Sequence, residues 1–171
     1  MDMGTAHSAL KKYFGYEAFR LTQASVIERT LNHQSSLVIM PTGGGKSICY
    51  QLPAVLLDGL TIVVSPLIAL MQDQVSALQA NGISAEAMNS ACTSEAESRV
   101  RQQVESGELK LLYVSPERAV SWGFLQWVSA IKVAQIAIDE AHCVSIWGND
   151  FRPEYTRLTE LTQLFPSVPV A

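Results

Sequence analysis

From about Leu37 onward the chain alternates short apolar runs with longer amphipathic ones. The runs "SLVIM", "LTIVVS", "LKLLYVS" and "VAQIAID" are rich in Val, Ile and Leu on both faces, which predicts buried strands; "AEAMN" is a weaker fifth. Between them, "PLIALMQDQVSALQANG" has helical spacing and halts at an Asn-Gly. "TSEAESRVRQQVESG" opens on a capping box, with Thr93 or Ser94 at its start and acidic residues in its first turn, and stops at Gly107. Alternating β and α elements predict an α/β fold: a doubly wound, mostly parallel sheet with helices on both faces. Residues 7–34 predict a helical preface, dividing the chain into a 1–34 helical segment and a 35–171 α/β domain. At the end "SVPVA" reads as a strand just beginning, so the expectation is a truncated domain whose remainder is missing.

Composition narrows the class. With 171 residues, 48% of them hydrophobic and 16% charged, the chain fits one soluble globular domain with a real core. The apolar stretch around "LTIVVSPLIAL" is too short and too interrupted to span a bilayer, and "MDMGTAHSALKK" does not read as a signal peptide. Cys49, Cys92 and Cys143 are odd in number, widely spaced and without a CxxC pair. That argues against a disulfide framework or zinc site and for a reducing interior. The expected location is intracellular: cytoplasmic at the nucleoid in a bacterium, nuclear in a eukaryote. A net charge of −4 carries no whole-domain signature of nucleic-acid binding, so any such site must be local or borrow charge from a partner domain.

The sharpest chemistry lies at "MPTGGGKS", between the run "SLVIM" and the helical run "KSICYQLPAVLL". A phosphate-binding loop needs that strand–loop–helix context. Glycines at 43, 44 and 45, after Thr42, let backbone N–H groups turn toward a β-phosphate, and the helix N-terminus adds its dipole. Lys46 would reach the β- and γ-phosphates, and the Ser47 hydroxyl would ligate Mg²⁺. Met40 stands where the strict pattern has its first glycine, and a plain glycine-rich turn is the alternative. Such a site also needs a carboxylate at the end of another strand. "VAQIAIDEAH" supplies Asp139 for the metal shell and Glu140 to orient or deprotonate the attacking water. An Asp-Glu pair alone is commonly just solvated; the loop at 41–47 is what gives this one a task.

With "PTGGGKS" and "DEAH" on one chain, the sequence resembles the first RecA-like motor domain of a superfamily 2 helicase, and more finely the RecQ family of DNA helicases. "FGYEAFRLTQ" resembles that family's adenine-recognition motif, "SPLIALMQDQ" and "YVSPER" its DNA-facing motifs, and "HCVSIWGNDFRPEY" its aromatic-rich loop. The resemblance implies that Gln23 bonds the adenine edge while Arg20 and Tyr16 cover its face. It implies that Ser65, Pro66, Ser115 and Arg118 line the path of the DNA backbone. It further implies that Trp147, Phe151 and Arg152 contact single-stranded DNA or relay its presence to the ATP site, aromatics suiting a sequence-tolerant contact. Tyr155 is expected to pack the run "RPEYTRLTELTQLF" onto the sheet. Each has a plainer reading: an exposed helical glutamine at 23, strand-to-helix turns at 65–66 and 115–118, core packing for Trp147 and Phe151.

Two positions depart from the family's Ser-Gln-Trp-Gly-His-Asp, since this chain has Ile146 and Asn149 there. The missing polar groups put coupling between DNA and ATP in question. The resemblance implies ATP and Mg²⁺ as cofactors and single-stranded and duplex DNA as partners. It also implies a second RecA-like domain that closes the ATP cleft and supplies an arginine finger, without which this chain would turn over little ATP. No membrane partner is expected. Roles in DNA repair and recombination follow from the family. An RNA-directed DEAH-type helicase, and a nucleotide-binding fragment or regulator without turnover, stay open as alternatives.

Overall fold

The computed structural model describes residues 3–19, 23–35, 47–65, 68–88, 93–138 and 159–163. Strands β1 (Leu60–Val64), β2 (Ala85–Met88), β3 (Leu111–Val114) and β4 (Val133–Ile138) form a sheet in the order β2-β3-β1-β4. Every pairing is parallel, with Val64 in register with both Val114 and Ile138, and Met88 with Val114. The weak run "AEAMN" is therefore a strand, while "SLVIM" lies outside the described residues. Parallel strands need crossovers. Here they are the helices α4 (Ile68–Ala80) and α5 (Ser94–Glu105), then the short pair α6 (Pro116–Ala119) and α7 (Trp122–Val128). Ahead of the sheet come α1 (Met3–Ala9), a π-turn over Leu10–Phe14, α2 (Gln23–Leu31) and α3 (Ile48–Leu56); α8 (Thr159–Thr162) follows β4.

Strand alternation sends each sheet face into its own core. Leu60, Ile62, Val64, Leu112 and Val114 pack with Val100, Val104, Phe124, Val128 and Leu161. Val63, Leu111, Tyr113 and Ala137 pack on the opposite side with Tyr50, Ala54, Met71, Val75 and Leu78. Helices thus cover both faces, and the strands need apolar residues throughout, which is why their sequences lack a polar side. The preface packs on the same body: Ala6, Leu10, Ile27 and Leu31 share a core with Ile48, Leu52 and Leu57 of α3.

Local signals explain the element ends. Thr93 caps α5, its Oγ1 accepting from the Ala96 N–H at 3.1 Å. The third helical residue is therefore Ala96, not an acid, so the expected capping box keeps only its forward half. Gly107, at φ 83°, follows the end of α5. Gly59 enters β1 at φ 127°, where an added Cβ would stand 3.0 Å from the Lys132 carbonyl oxygen. Between β1 and β4 the register shifts after Leu60, which pairs with Val133, while Thr61 pairs with Gln135. Ala134 is the extra residue of a bulge. It lets Val133 and Ile136 enter the same core although their spacing breaks the two-residue period.

Candidate functional site

Because all four described strands run the same way, their carboxyl ends share one edge, the place where open α/β sheets bind ligands. Ser65 follows β1 and Ser115 follows β3; the Ser65 N–H donates to the Val114 carbonyl at 3.0 Å, so the two serines sit side by side. Both are buried. Ile138 ends β4 in register with Val64; Asp139 and Glu140 come next in sequence and lie outside the described residues.

Helix α3 delivers a second feature to this edge. Near its start, Gln51 Nε2 donates to the Tyr113 hydroxyl at 2.9 Å, well along β3. Past its end, the Leu57 carbonyl accepts from Lys110 Nζ at 3.1 Å, just before β3 begins. The helix therefore runs against the strands, with its N-terminus toward the carboxyl edge. Such a terminus carries unpaired N–H groups and a positive dipole end. Ser47 stands there with helical backbone angles and makes no side-chain capping bond, leaving its hydroxyl free of that duty. Thr42, Gly43, Gly44, Gly45 and Lys46 lie outside the described residues.

The helix is tied down by a buried polar set. The Gln135 amide of β4 donates to the Tyr50 carbonyl at 3.0 Å and to Thr61 Oγ1 at 3.3 Å. The Tyr113 hydroxyl lies 3.5 Å from that of Tyr50, which donates to Gln74 Oε1 at 3.0 Å. Pro53 interrupts the helix's own ladder close by, having no N–H for the Cys49 carbonyl. The Cys49 thiol, two residues after Ser47 in the chain, is buried, and desolvation pushes it up to about 11, so it stays protonated and unreactive at neutral pH.

On the other flank of the edge, Ser115 caps α6 by accepting from the Arg118 N–H at 3.3 Å, with Pro116 in the first turn. That is the plain strand-to-helix turn, fully formed. The Arg118 guanidinium is ion-paired with Glu97 of α5, which also faces Arg101 at 3.7 Å. Arg101 lies over the Trp127 ring at 4.7 Å, and Trp127 Nε1 donates to Glu105 at 3.1 Å. A cavity of about 460 Å³ opens here, lined among others by Arg101, Ser115, Arg118 and Ser121.

The structure therefore brings Ser65, Ser115 and Arg118 to one edge and turns the Ser47 end of α3 toward it. Gln23 is buried at 1% exposure, which removes the plainer reading of an exposed helical glutamine, whereas Tyr16 is exposed. Arg20, Pro66, Trp147, Phe151, Arg152, Tyr155, Ile146 and Asn149 lie outside the described residues. Sequence reasoning missed Gln135, Glu97 and Trp122. Gln135 sits where an apolar strand residue belongs, a signal that was available; the partners of Glu97 and the exposure of Trp122 depend on how α5, α6 and α7 meet.

Residues 20–169 match the family model described as DEAD/DEAH box helicase. The chain is 57% identical over 170 residues to the ATP-dependent DNA helicase RecQ of Haemophilus influenzae, covering 99% of this chain and 28% of that protein. Against the protein of the same name from Bacillus subtilis it is 47% identical over 166 residues, covering 96% and 28%. The chain thus spans a little over a quarter of the length of these relatives. Among solved structures, a hypothetical ATP-dependent RNA helicase from Sulfolobus tokodaii aligns with a TM-score of 0.69 at 18% identity, over 98% of this chain and 49% of the other. The helicase MrfA bound to DNA and AMPPNP aligns with a TM-score of 0.66 at 21% identity, over 80% and 20%. At these identities the structural likeness speaks for the fold alone, the RecA-like arrangement of parallel strands and flanking helices.

Proposed function

Because this chain belongs to the DEAD/DEAH box helicase family, in its RecQ branch, we propose that it is the first motor half of an ATP-dependent DNA helicase. The observation that carries the reading is the Gln135–Tyr50 bond. It joins the strand that runs into Asp139 and Glu140 to the helix that follows "TGGGKS", the two elements a phosphoryl-transfer site must hold in fixed relation. In this reading the backbone N–H groups of Gly43, Gly44 and Gly45 and the α3 terminus cradle the β-phosphate of ATP. Lys46 draws charge from the β- and γ-phosphates, and Glu140 orients the attacking water and accepts its proton. Ser47 and Asp139 would hold Mg²⁺: both offer hard oxygen donors, and the Ser47 hydroxyl is not spent on capping. When bound, Mg²⁺ neutralises charge on the β- and γ-oxygens.

Gln23, with Arg20 and Tyr16, selects adenine. Ser65, Pro66, Ser115 and Arg118 position DNA phosphates along the carboxyl edge without reading sequence. Trp147, Phe151 and Arg152 meet the single strand behind the acidic pair. A second RecA-like domain closes the cleft and supplies the arginine that completes catalysis. No helix among the described residues is long and apolar enough to cross a membrane. The test is ATP hydrolysis by the full-length protein with single-stranded DNA or RNA of matched sequence. DNA stimulates turnover and Lys46→Ala abolishes it. Equal or stronger stimulation by RNA transfers the assignment to an RNA-directed motor, and no turnover with either removes the enzymatic reading.

A further inference from the structure

Helix α1 and the segment that follows it fold back on each other. After the π-turn over Leu10–Phe14, Gly15 stands at φ 74°, a conformation open to glycine, and its N–H donates to the Lys11 carbonyl at 3.2 Å. The chain then returns toward α1, where His7 meets it twice. Its Nε2 donates to the Glu17 carbonyl, and its ring stands edge-on to Phe19 with the centroids 5.6 Å apart. A carbonyl can only accept, so Nε2 carries the proton. Lys11 also faces Glu17 at 3.7 Å, but both side chains are largely in solvent and such a pair fixes little.

These contacts fall on a segment with a use. Glu17 and Phe19 lie between Tyr16 and Arg20 in the chain, and Gln23 opens α2 shortly after. The three residues assigned to adenine thus flank the two that His7 holds. On its other side α1 leans on α3, with Ala6, Ala9 and Leu10 sharing a core with Ile48 and Leu52. Helix α3 follows "TGGGKS", so α1 touches both the segment read as the base clamp and the helix read as the phosphate seat. His7 itself is exposed, so its contribution is these two contacts and not burial.

We infer that His7 is a positioning residue for the nucleotide base: it pins the 16–19 segment to α1 and so sets where Tyr16, Arg20 and Gln23 meet adenine. The inference rests on the adenine reading above and adds to it a residue outside the run "FGYEAFRLTQ". Holding the segment in place beforehand spares part of its ordering cost when ATP arrives. The gain therefore falls on affinity for adenine nucleotides. A base that Gln23 does not pair with gains less, so His7 also sharpens the choice of ATP over GTP.

The experiment measures competition binding of ATP and GTP to the full-length protein, and ATP turnover under saturating single-stranded DNA. His7→Ala weakens ATP binding about threefold to tenfold, the scale of one hydrogen bond, and narrows the ATP-to-GTP affinity ratio with it. The loss falls on KM and spares kcat. His7→Gln, whose amide nitrogen reaches about as far as Nε2 and also donates, recovers most of the loss. His7→Phe keeps a ring against Phe19 without the donor and recovers little. Lys11→Ala, which removes only the exposed ion pair, leaves the ratio as it is. Unchanged ATP affinity in His7→Ala overturns the positioning role. Equal weakening of ATP and GTP overturns it too, as does a loss in kcat with KM intact or a Lys11→Ala effect as large as that of His7→Ala. Gln23→Ala is the reference: an unchanged ratio there removes the adenine reading itself, whereas a ratio flattened in Gln23→Ala alone overturns only the role of His7.

Discussion

Gln135 of β4 donates its side-chain amide to the backbone carbonyl of Tyr50 in α3 at 3.0 Å, across a fully buried boundary between sheet and helix. The bulge at Ala134 makes this possible, because it sets Gln135 opposite Thr61. The other end of the amide is less well served: Gln135 Oε1 is buried with no hydrogen-bond partner among the described residues. A buried acceptor without a partner offsets much of what the donor gains. The bond is better understood as fixing the relation of α3 to β4 than as a source of stability.

Gln135→Leu is therefore expected to change unfolding free energy by less than about 1.5 kcal/mol, since it removes a satisfied donor and an unsatisfied acceptor together. Gln135→Glu behaves differently. It faces the Tyr50 carbonyl with a carboxylate and has no N–H to give. Burial raises the folded pKa of such a group, so its proton is bound more tightly in the folded state and the variant loses stability as pH rises above about 4.3. Urea unfolding of both variants at pH 5 and pH 8 checks the contrast.

Thr93→Ala removes the hydroxyl that accepts from the Ala96 N–H. No acid sits at the third position of α5 to offer a reciprocal bond, so the cap rests on this one contact. The expected loss is about 1 kcal/mol, with Thr93→Ser close to wild type. Chemical denaturation of the two variants measures it.

The Cys49 thiol is pushed from 9.0 to about 11 in the folded chain. A raised folded pKa means that the neutral thiol's contribution is complete below the unfolded value and is lost as pH climbs toward the folded one. Stability is expected to fall more steeply between pH 9 and pH 11 in wild type than in Cys49→Ala. Comparing the two cancels the titration of lysines and tyrosines. In the native chain at pH 8, Cys49 resists alkylation and reacts only after unfolding; alkylation at the rate of a free thiol contradicts its burial.

Gln23→Ala tests nucleotide choice. Adenine offers a donor and an acceptor that an amide can meet bidentately, and guanine does not. The variant is expected to bind ATP more weakly and to lose preference for ATP over GTP. Because Gln23 is buried, the truncation also costs stability. The ratio of the two affinities is therefore the readout, and a preserved ratio removes the adenine assignment.

The alternation of elements was legible in the sequence because each strand is buried on both faces and each helix shows its own period. "LTIVVS", "LKLLYVS" and "VAQIAID" became β1, β3 and β4; the Asn-Gly after α4 and Gly107 after α5 mark stops set by local backbone preference. The run "TGGGKS" is a proposal from sequence alone, since glycines, a lysine and a serine between a strand run and a helix suit a phosphate contact and residues 42–46 lie outside the described residues. The relations between elements were not legible. Period two places Gln135 on the face of Val133, and only the bulge at Ala134, enforced by pairing with β1, turns it to Thr61 and Tyr50. Whether Glu97 meets solvent or Arg118 depends on α5 lying beside α6, residues far apart in the chain. Gln23 has the sequence look of a surface residue and is buried at the start of α2. Local chemistry sets what each segment can be; burial and pairing between distant segments decide which of its side chains face a partner.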